Sequence, residues 1–135
     1  MTVRVRYKIT ATVSSSSAEE KDLANQSWEV VCDSLSEGGS WKTTLPAAST
    51  DIQLYLGNIA SAKFVAVRTN AKDPTQPPDP ITLKKNSPTG EELVVTVLPD
   101  AKEGHFLFSA DGITALYATN AGTVEMEITL VAAGD

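Results

Sequence analysis

The chain has 135 residues and a mass of 14.3 kDa, with 41% hydrophobic residues, 21% charged residues and a net charge of -6. These values are typical of a globular protein with one core, and they exclude a disordered chain, a coiled coil and a membrane-spanning helix. The acidic balance argues against general nucleic-acid binding, which depends largely on neutralising phosphates. We therefore expect a single domain over residues 1–135, with neither a nucleic acid nor a membrane as partner.

Residues 2–13 alternate strictly between apolar and polar side chains, which predicts a β-strand with one buried face. Its polar face carries three basic side chains, Arg4, Arg6 and Lys8, in an otherwise acidic protein. The segment lacks the continuous apolar run of a secretory signal, and the single cysteine, Cys32, fits a reducing compartment. We expect a protein that is made in a cytoplasm and has no disulfide.

Residues 17–28 have the only helix-compatible spacing, with Ser17 as a possible N-cap and Glu20 three residues later. One short helix is the hypothesis for this segment. Cys32 follows between apolar residues, where a buried small hydrophobe is favoured over a reactive thiol.

The rest of the chain reads as short strands separated by turns that are rich in Gly, Asn and Pro. The run ELVVTVLP, at 92–99, is continuously apolar and predicts a strand covered on both faces. About eight strands with close turns indicate an all-β fold, a single antiparallel β-sandwich of jelly-roll type. The predicted core contains Val3, Val5, Tyr7, Ile9, Leu54, Leu56, Val95, Val97, Leu107, Leu116, Met126, Ile128 and Leu130.

The segment AKDPTQPPDP, at residues 71–80, has four prolines in ten residues. Proline removes backbone donors and does not fit a central strand, so we predict a projecting loop here. A stiff loop loses little entropy on docking, which makes Asp73, Pro77 and Pro78 candidates for contact with a partner. A proline-rich ligand for a peptide-binding module is the weaker alternative, because the segment has little aromatic or basic character.

The sequence offers little for catalysis. His105 is the only histidine, and no nucleophile motif accompanies it or Cys32. One Cys and one His are too few for a zinc site. The acidic turn residues could ligate calcium, but none has the spacing of a known calcium loop; they are Asp73, Asp79, Asp100, Glu103 and Asp111. We expect no enzyme, no metal and no cofactor.

Aromatic side chains leave a binding alternative open. Trp28, Trp41, Tyr55 and Tyr117 are candidates for a platform on which a sugar ring stacks, although most aromatic residues are needed in the core. Trp41 follows a glycine-rich turn and is the aromatic residue expected to be most exposed. A carbohydrate- or receptor-binding module is therefore the second hypothesis.

Residues 50–135 resemble small β-sandwich proteins of tailed-bacteriophage virions. Four groups of residues carry the resemblance: Asn58, Ile59, Ala62, Lys63 and Phe64; Pro80, Ile81 and Leu83; Phe106, Leu107 and Phe108; and Ile113, Thr114, Leu116 and Asn120. The resemblance implies a virion protein, either a capsid decoration protein or an accessory piece of the tail, neck or baseplate. It also implies that the chain self-associates and binds the major capsid or tail protein.

The basic stripe has two interpretations. Its charges can simply protect an edge strand against aggregation. Alternatively, the stripe lies beside Glu125 and Glu127, which have the same two-residue spacing on the last strand, either in the same chain or in a neighbouring copy.

Overall fold

The computed structural model describes residues 2–15 and 22–135, and it is all-β, as the alternating patterns predicted. Within these ranges the chain forms ten strands, against about eight predicted. They are β1 (Val3–Ser14), β2 (Asp22–Leu35), β3 (Glu37–Leu45), β4 (Ser49–Gln53), β5 (Ala62–Ala71), β6 (Ile81–Lys85), β7 (Glu92–Val95), β8 (Glu103–Ile113), β9 (Leu116–Asn120) and β10 (Met126–Gly134).

The predicted helix is wrong over 22–28, which belong to β2. The rest of that prediction, with Ser17 and Glu20, lies outside the described residues. Residues 24–35 contain Trp28, Val30 and Val31, and such aromatic and β-branched side chains favour extended backbone.

Internal contacts divide the chain into two compact units, residues 1–35 and 36–135, where the sequence predicted one sandwich over the whole length. The first unit is the antiparallel hairpin of β1 and β2. Ile9 lies directly opposite Trp28, and Lys8 lies opposite Glu29, so apolar and polar side chains separate onto two faces. In the described part of this unit, only Val5 and Leu35 are buried.

The second unit contains two four-stranded antiparallel sheets, with the orders β3-β10-β5-β8 and β4-β9-β6-β7. Both sheets contribute side chains to one hydrophobic core, as in a β-sandwich. The members with the largest fully buried side chains are Leu45, Ile81, Leu83, Ile113, Leu116, Met126, Ile128, Val65 and Val95.

Strand β10 shows why the alternation of apolar and polar residues correctly predicts which side chains are buried in this unit. Met126, Ile128 and Leu130 are buried, while the residues between them are only half-buried. β10 lies between β3 and β5, so both of its edges are paired and its apolar face lies over the core.

The predicted core is confirmed for most of its members in residues 36–135, namely Leu54, Leu56, Val95, Leu116, Met126, Ile128 and Leu130, and for Val5 in the hairpin. Val3, Tyr7, Val97 and Leu107 are only half-buried. The prediction that Ile9 belongs to the core is wrong, since its side chain is exposed.

The run at 92–99 is also different from its prediction. β7 covers only Glu92–Val95, with Val95 buried and Val94 exposed, and Leu98 is exposed as well. Among the described strands β7 is hydrogen-bonded only to β6, so it is an edge strand. One of its faces is covered, because Val95 is buried while Val94 is exposed.

Candidate interaction surfaces

The basic stripe lies beside two acidic residues of its own hairpin, Asp33 and Glu29. The Arg4 guanidinium lies 3.4 Å from the Asp33 carboxylate, and Arg6 Nε lies 4.0 Å from Glu29. Lys8 is directly opposite Glu29. Opposite charges across an antiparallel pair stabilise it modestly, so β2 supplies the acids that the sequence analysis sought on the last strand.

The in-chain pairing of the stripe with Glu125 and Glu127 is therefore wrong. β10 pairs with β3 and β5, and Glu125 and Glu127 form ion pairs with lysines in or next to those strands. Lys72 Nζ lies 2.7 Å from Glu125, and Lys42 Nζ lies 3.4 Å from Glu127. The hydrogen bond and charge of Glu125 raise the pKa of Lys72 above its ordinary value.

The proline segment begins beside Glu125. The Asp73 carboxylate accepts hydrogen bonds from the backbone N–H and the hydroxyl of Thr75, which hold the pKa of Asp73 below its ordinary value. This is an Asx-type turn, in which a carboxylate fixes the backbone two residues later. Asp73 and Glu125 line the same depression of about 380 Å³, so these two predicted contact residues lie together.

The proline segment is exposed at one end and anchored at the other. Pro77 is exposed, whereas Pro78 and Asp79 are half-buried. The Asp79 carboxylate accepts a hydrogen bond of 2.9 Å from the N–H of Val124, and its side chain lies against Gly122. The surface available for contact is therefore residues 72–77.

Trp41 is not the exposed aromatic residue that the sequence predicted. It is half-buried and packs against the core, and its ring meets Tyr55 edge to face, with centroids 5.6 Å apart and planes at 86°. Any Cβ at Gly39 or Gly57 would lie within 3 Å of the indole. Gly57 also has a φ of 63°, so glycine fits both the backbone and the ring at this position.

Perpendicular rings do not present two parallel stacking faces. Tyr55 is nevertheless 62% exposed, and it lines a depression of about 430 Å³ with Gln53 and Thr114. Of the four aromatic residues that were candidates for a sugar platform, Tyr55 and Trp28 are therefore the exposed ones, and Tyr55 is the one that lines this depression.

His105 is exposed, and its Nε2 lies 3.3 Å from the Glu103 carboxylate. Among the described residues, no group of three or more His, Cys, Asp or Glu side chains is arranged to hold a metal ion. The side chain of Asp111 lies outside what the structure describes. In the same ranges, no helix is long and apolar enough to cross a membrane.

One surface of the hairpin is not predicted by the patterns described above. On the hairpin, the face that contains Tyr7 and Ile9 also contains Trp28 and Val30 of β2. Ile9, Val13, Trp28 and Val30 are all exposed. We call this surface the apolar face of the hairpin; it consists of Val5, Tyr7, Ile9, Ala11, Val13, Ala24, Gln26, Trp28, Val30 and Cys32. The alternation in residues 24–32 would have revealed it, had a strand been considered there.

Comparison with known proteins gives no relative. The chain matches no protein family, no curated protein and no solved structure.

Proposed function

We propose that this chain is a non-enzymatic structural protein of a phage particle, a capsid decoration protein that self-associates and binds the major shell protein. It would be made in the host cytoplasm and would end in the virion. The observation that carries this proposal is the strand order of residues 36–135.

Counted along the chain from β3 to β10, the eight strands of this unit have the orders 1-8-3-6 and 2-7-4-5 in the two sheets. Every connection passes from one sheet to the other except the link from β6 to β7, which are paired neighbours. We infer from this order the connectivity of an eight-stranded jelly roll. Jelly rolls are frequent in viral capsid proteins, which supports a role in a particle.

The resemblance to tailed-phage virion proteins covers most of the same unit. Several of its residues have structural roles there, since Ile81, Ile113 and Leu116 are fully buried and Asn120 bonds the loop that precedes β10. The resemblance therefore rests on positions that specify the sandwich. One fold serves many functions, so the chain could instead attach to the tail, neck or baseplate of the particle. Imaging of the particle, described below, distinguishes these locations from the capsid.

A carbohydrate- or receptor-binding module is the second candidate, because jelly rolls also form lectin domains and Tyr55 is exposed beside a depression. Titration with a panel of glycans tests it. Saturable binding that is lost in Tyr55→Ala but kept in Tyr117→Phe would favour this candidate over the structural one.

The deciding experiment is mass spectrometry and cryo-electron microscopy of phage particles from the genome that encodes the chain. We expect the chain in purified particles, with density on the capsid shell. Density on the tail, neck or baseplate would show that the chain is attached there and not to the capsid. Absence of the chain from the particles would overturn the proposal.

The exposed residues 72–77 provide a binding test. Replacing residues 73–77 by a Gly/Ser linker, with Asp79 retained, should preserve the unfolding transition and weaken binding to particles. The control replaces Pro88 and Thr89, which form another exposed turn. Unchanged particle binding with a destabilised fold would give the segment a purely structural role.

A further inference from the structure

Seven of the ten described residues on the apolar face of the hairpin are exposed. Trp28 is 52% exposed and Val13 57% exposed. A two-stranded hairpin alone is marginally stable in water, because it has one face to bury and nothing of its own to bury it against. An uncovered apolar face on such a hairpin marks an interaction surface.

The chemistry of the two faces defines the occupant. Between Val5 and Val13 on β1 and between Ala24 and Cys32 on β2, no side chain on the apolar face is charged. The opposite face carries the charges, and its Arg4 and Arg6 form ion pairs with Asp33 and Glu29 of the same hairpin. An occupant must therefore offer an uncharged apolar strip of similar length, and a second hairpin of the same sequence offers one.

The arrangement of the strip suits a two-fold contact. Ile9 and Trp28 lie directly opposite each other and midway along the face, four residues from Val5 and from Val13 on β1. A two-fold axis places the same patch on both partners, so the largest side chains would meet at its centre. Small side chains, Ala11 and Ala24, lie nearer the connection and leave room for the indole of the other copy. Trp residues at the centre of an interface commonly dominate its energy.

We propose that a second copy of this chain covers the apolar face, with two hairpins stacked face to face about an axis near Ile9 and Trp28. Sheets pack about 10 Å apart, and two faces of this size would bury on the order of 1,000 Å², the lower end for a specific interface. The inference extends the proposed function, because it assigns the self-association of a decoration protein to residues 2–35.

Two neighbouring valines give a matched test. Val30 is on the apolar face and Val31 on the opposite face, and their exposures are 42% and 48%. Sedimentation velocity of the full chain should show a dimer for the wild type. We expect Val30→Glu to weaken dimerisation at least tenfold, and Val31→Glu to change it less than threefold. A monomeric wild type at 100 µM, or equal effects of the two substitutions, would overturn the proposal.

A second experiment does not depend on how well one variant folds. Ile9→Glu and Ile9→Lys should each be monomeric, and an equimolar mixture should form a heterodimer, because the two side chains meet near the axis. A mixture that remains monomeric contradicts the face-to-face arrangement.

Failure of this inference is distinguishable from failure of the proposed function. A chain that is monomeric in solution but occupies phage particles, with the hairpin protected from hydrogen exchange only there, would make the shell the occupant and overturn self-docking. A dimer that responds to Val30→Glu but is absent from particles would leave the interface standing and refute the proposed function.

Discussion

The hairpin of β1 and β2 and the strand β10 carry the same alternation of apolar and polar side chains, but only β10 has its apolar face covered. Ile128 in β10 is 0% exposed, and Ile9 in β1 is 37% exposed. β10 has a neighbour at each edge and a second sheet over its face, whereas β1 has one neighbour. Alternation of apolar and polar residues therefore predicts a strand with one apolar and one polar face. Whether the apolar face is buried depends on whether a second sheet packs over it.

The sharpest test of this difference compares two identical substitutions. Ile128→Ala should lower the free energy of unfolding by about 2 to 5 kcal/mol, because it leaves a cavity in a closed core. Ile9→Ala should lower it by less, about 1 kcal/mol in dilute monomer, since the side chain is 37% exposed and its loss leaves no closed cavity. Urea denaturation followed by circular dichroism measures both. Equal losses would mean that the hairpin has a core of its own.

Polar side chains show the same difference between the units. Asn120 is fully buried and donates hydrogen bonds to the carbonyls of Pro46 and Val124, while its Oδ1 accepts one from the N–H of Gly122. Asn120→Ala leaves these groups unsatisfied and should cost about 1 to 3 kcal/mol. The control is Thr10→Ala, which removes an exposed 3.4 Å contact with Ser27 and should cost less than about 0.5 kcal/mol.

Ion pairs should differ by a smaller amount. Lys84 Nζ lies 2.8 Å from Asp51, and its side chain is mostly covered, whereas Arg6 is exposed and 4.0 Å from Glu29. We expect Lys84→Met to lower the urea midpoint measurably and Arg6→Met to leave it within error, since exposed pairs contribute little. If Arg6→Met lowers the urea midpoint more than Lys84→Met does, the ion pair of the hairpin contributes more to stability than the pair in residues 36–135, and the prediction is wrong.

The smallest expected effect is the loss of stability in residues 36–135 when the Asp135 carboxylate is protonated at low pH. Hydrogen bonds from Lys63 and Ser36 hold the pKa of the Asp135 side chain below its ordinary value. The stabilisation is therefore present above the ordinary carboxyl pKa of about 3.9 and is lost as the pH falls through the lower, folded value. NMR titration of the Asp135 carboxyl should show this depression, and Lys63→Gln should raise the midpoint. An identical midpoint in the variant would contradict the role of Lys63.

The sequence identified the all-β class because period-2 patterns are local, and most of the core residues that it predicted in residues 36–135 are buried. It did not identify β2 as the partner of β1, because this pairing requires residues 22–35 to be extended and the spacing of residues 17–28 is also compatible with a helix. Glu29 and Asp33 are visible in the sequence as acids, but a short helix is a possible interpretation of residues 17–28, and no strand is predicted for residues 24–35.

Trp41 shows another limit of sequence reasoning. The glycine-rich stretch before it predicted a turn, yet Gly38 and Gly39 lie within β3 and pair with β10. Gly39 is two residues from Trp41 and therefore on the same face, where the indole lies against it. That spacing was a usable signal, whereas the approach of Gly57 depends on tertiary structure.

The central position of β10 has a consequence for how the protein folds. β3 and β5 are both synthesised well before β10. β5 can pair with β8 in this sheet, but β3 has no partner there until β10 inserts between β3 and β5, so Leu45 must wait for Met126. Long-range pairing of this kind slows folding, while a hairpin such as β1–β2 can form in microseconds. During synthesis the nascent chain therefore exposes unpaired strand edges, and we expect refolding of residues 36–135 to be slow, concentration-sensitive and assisted by chaperones.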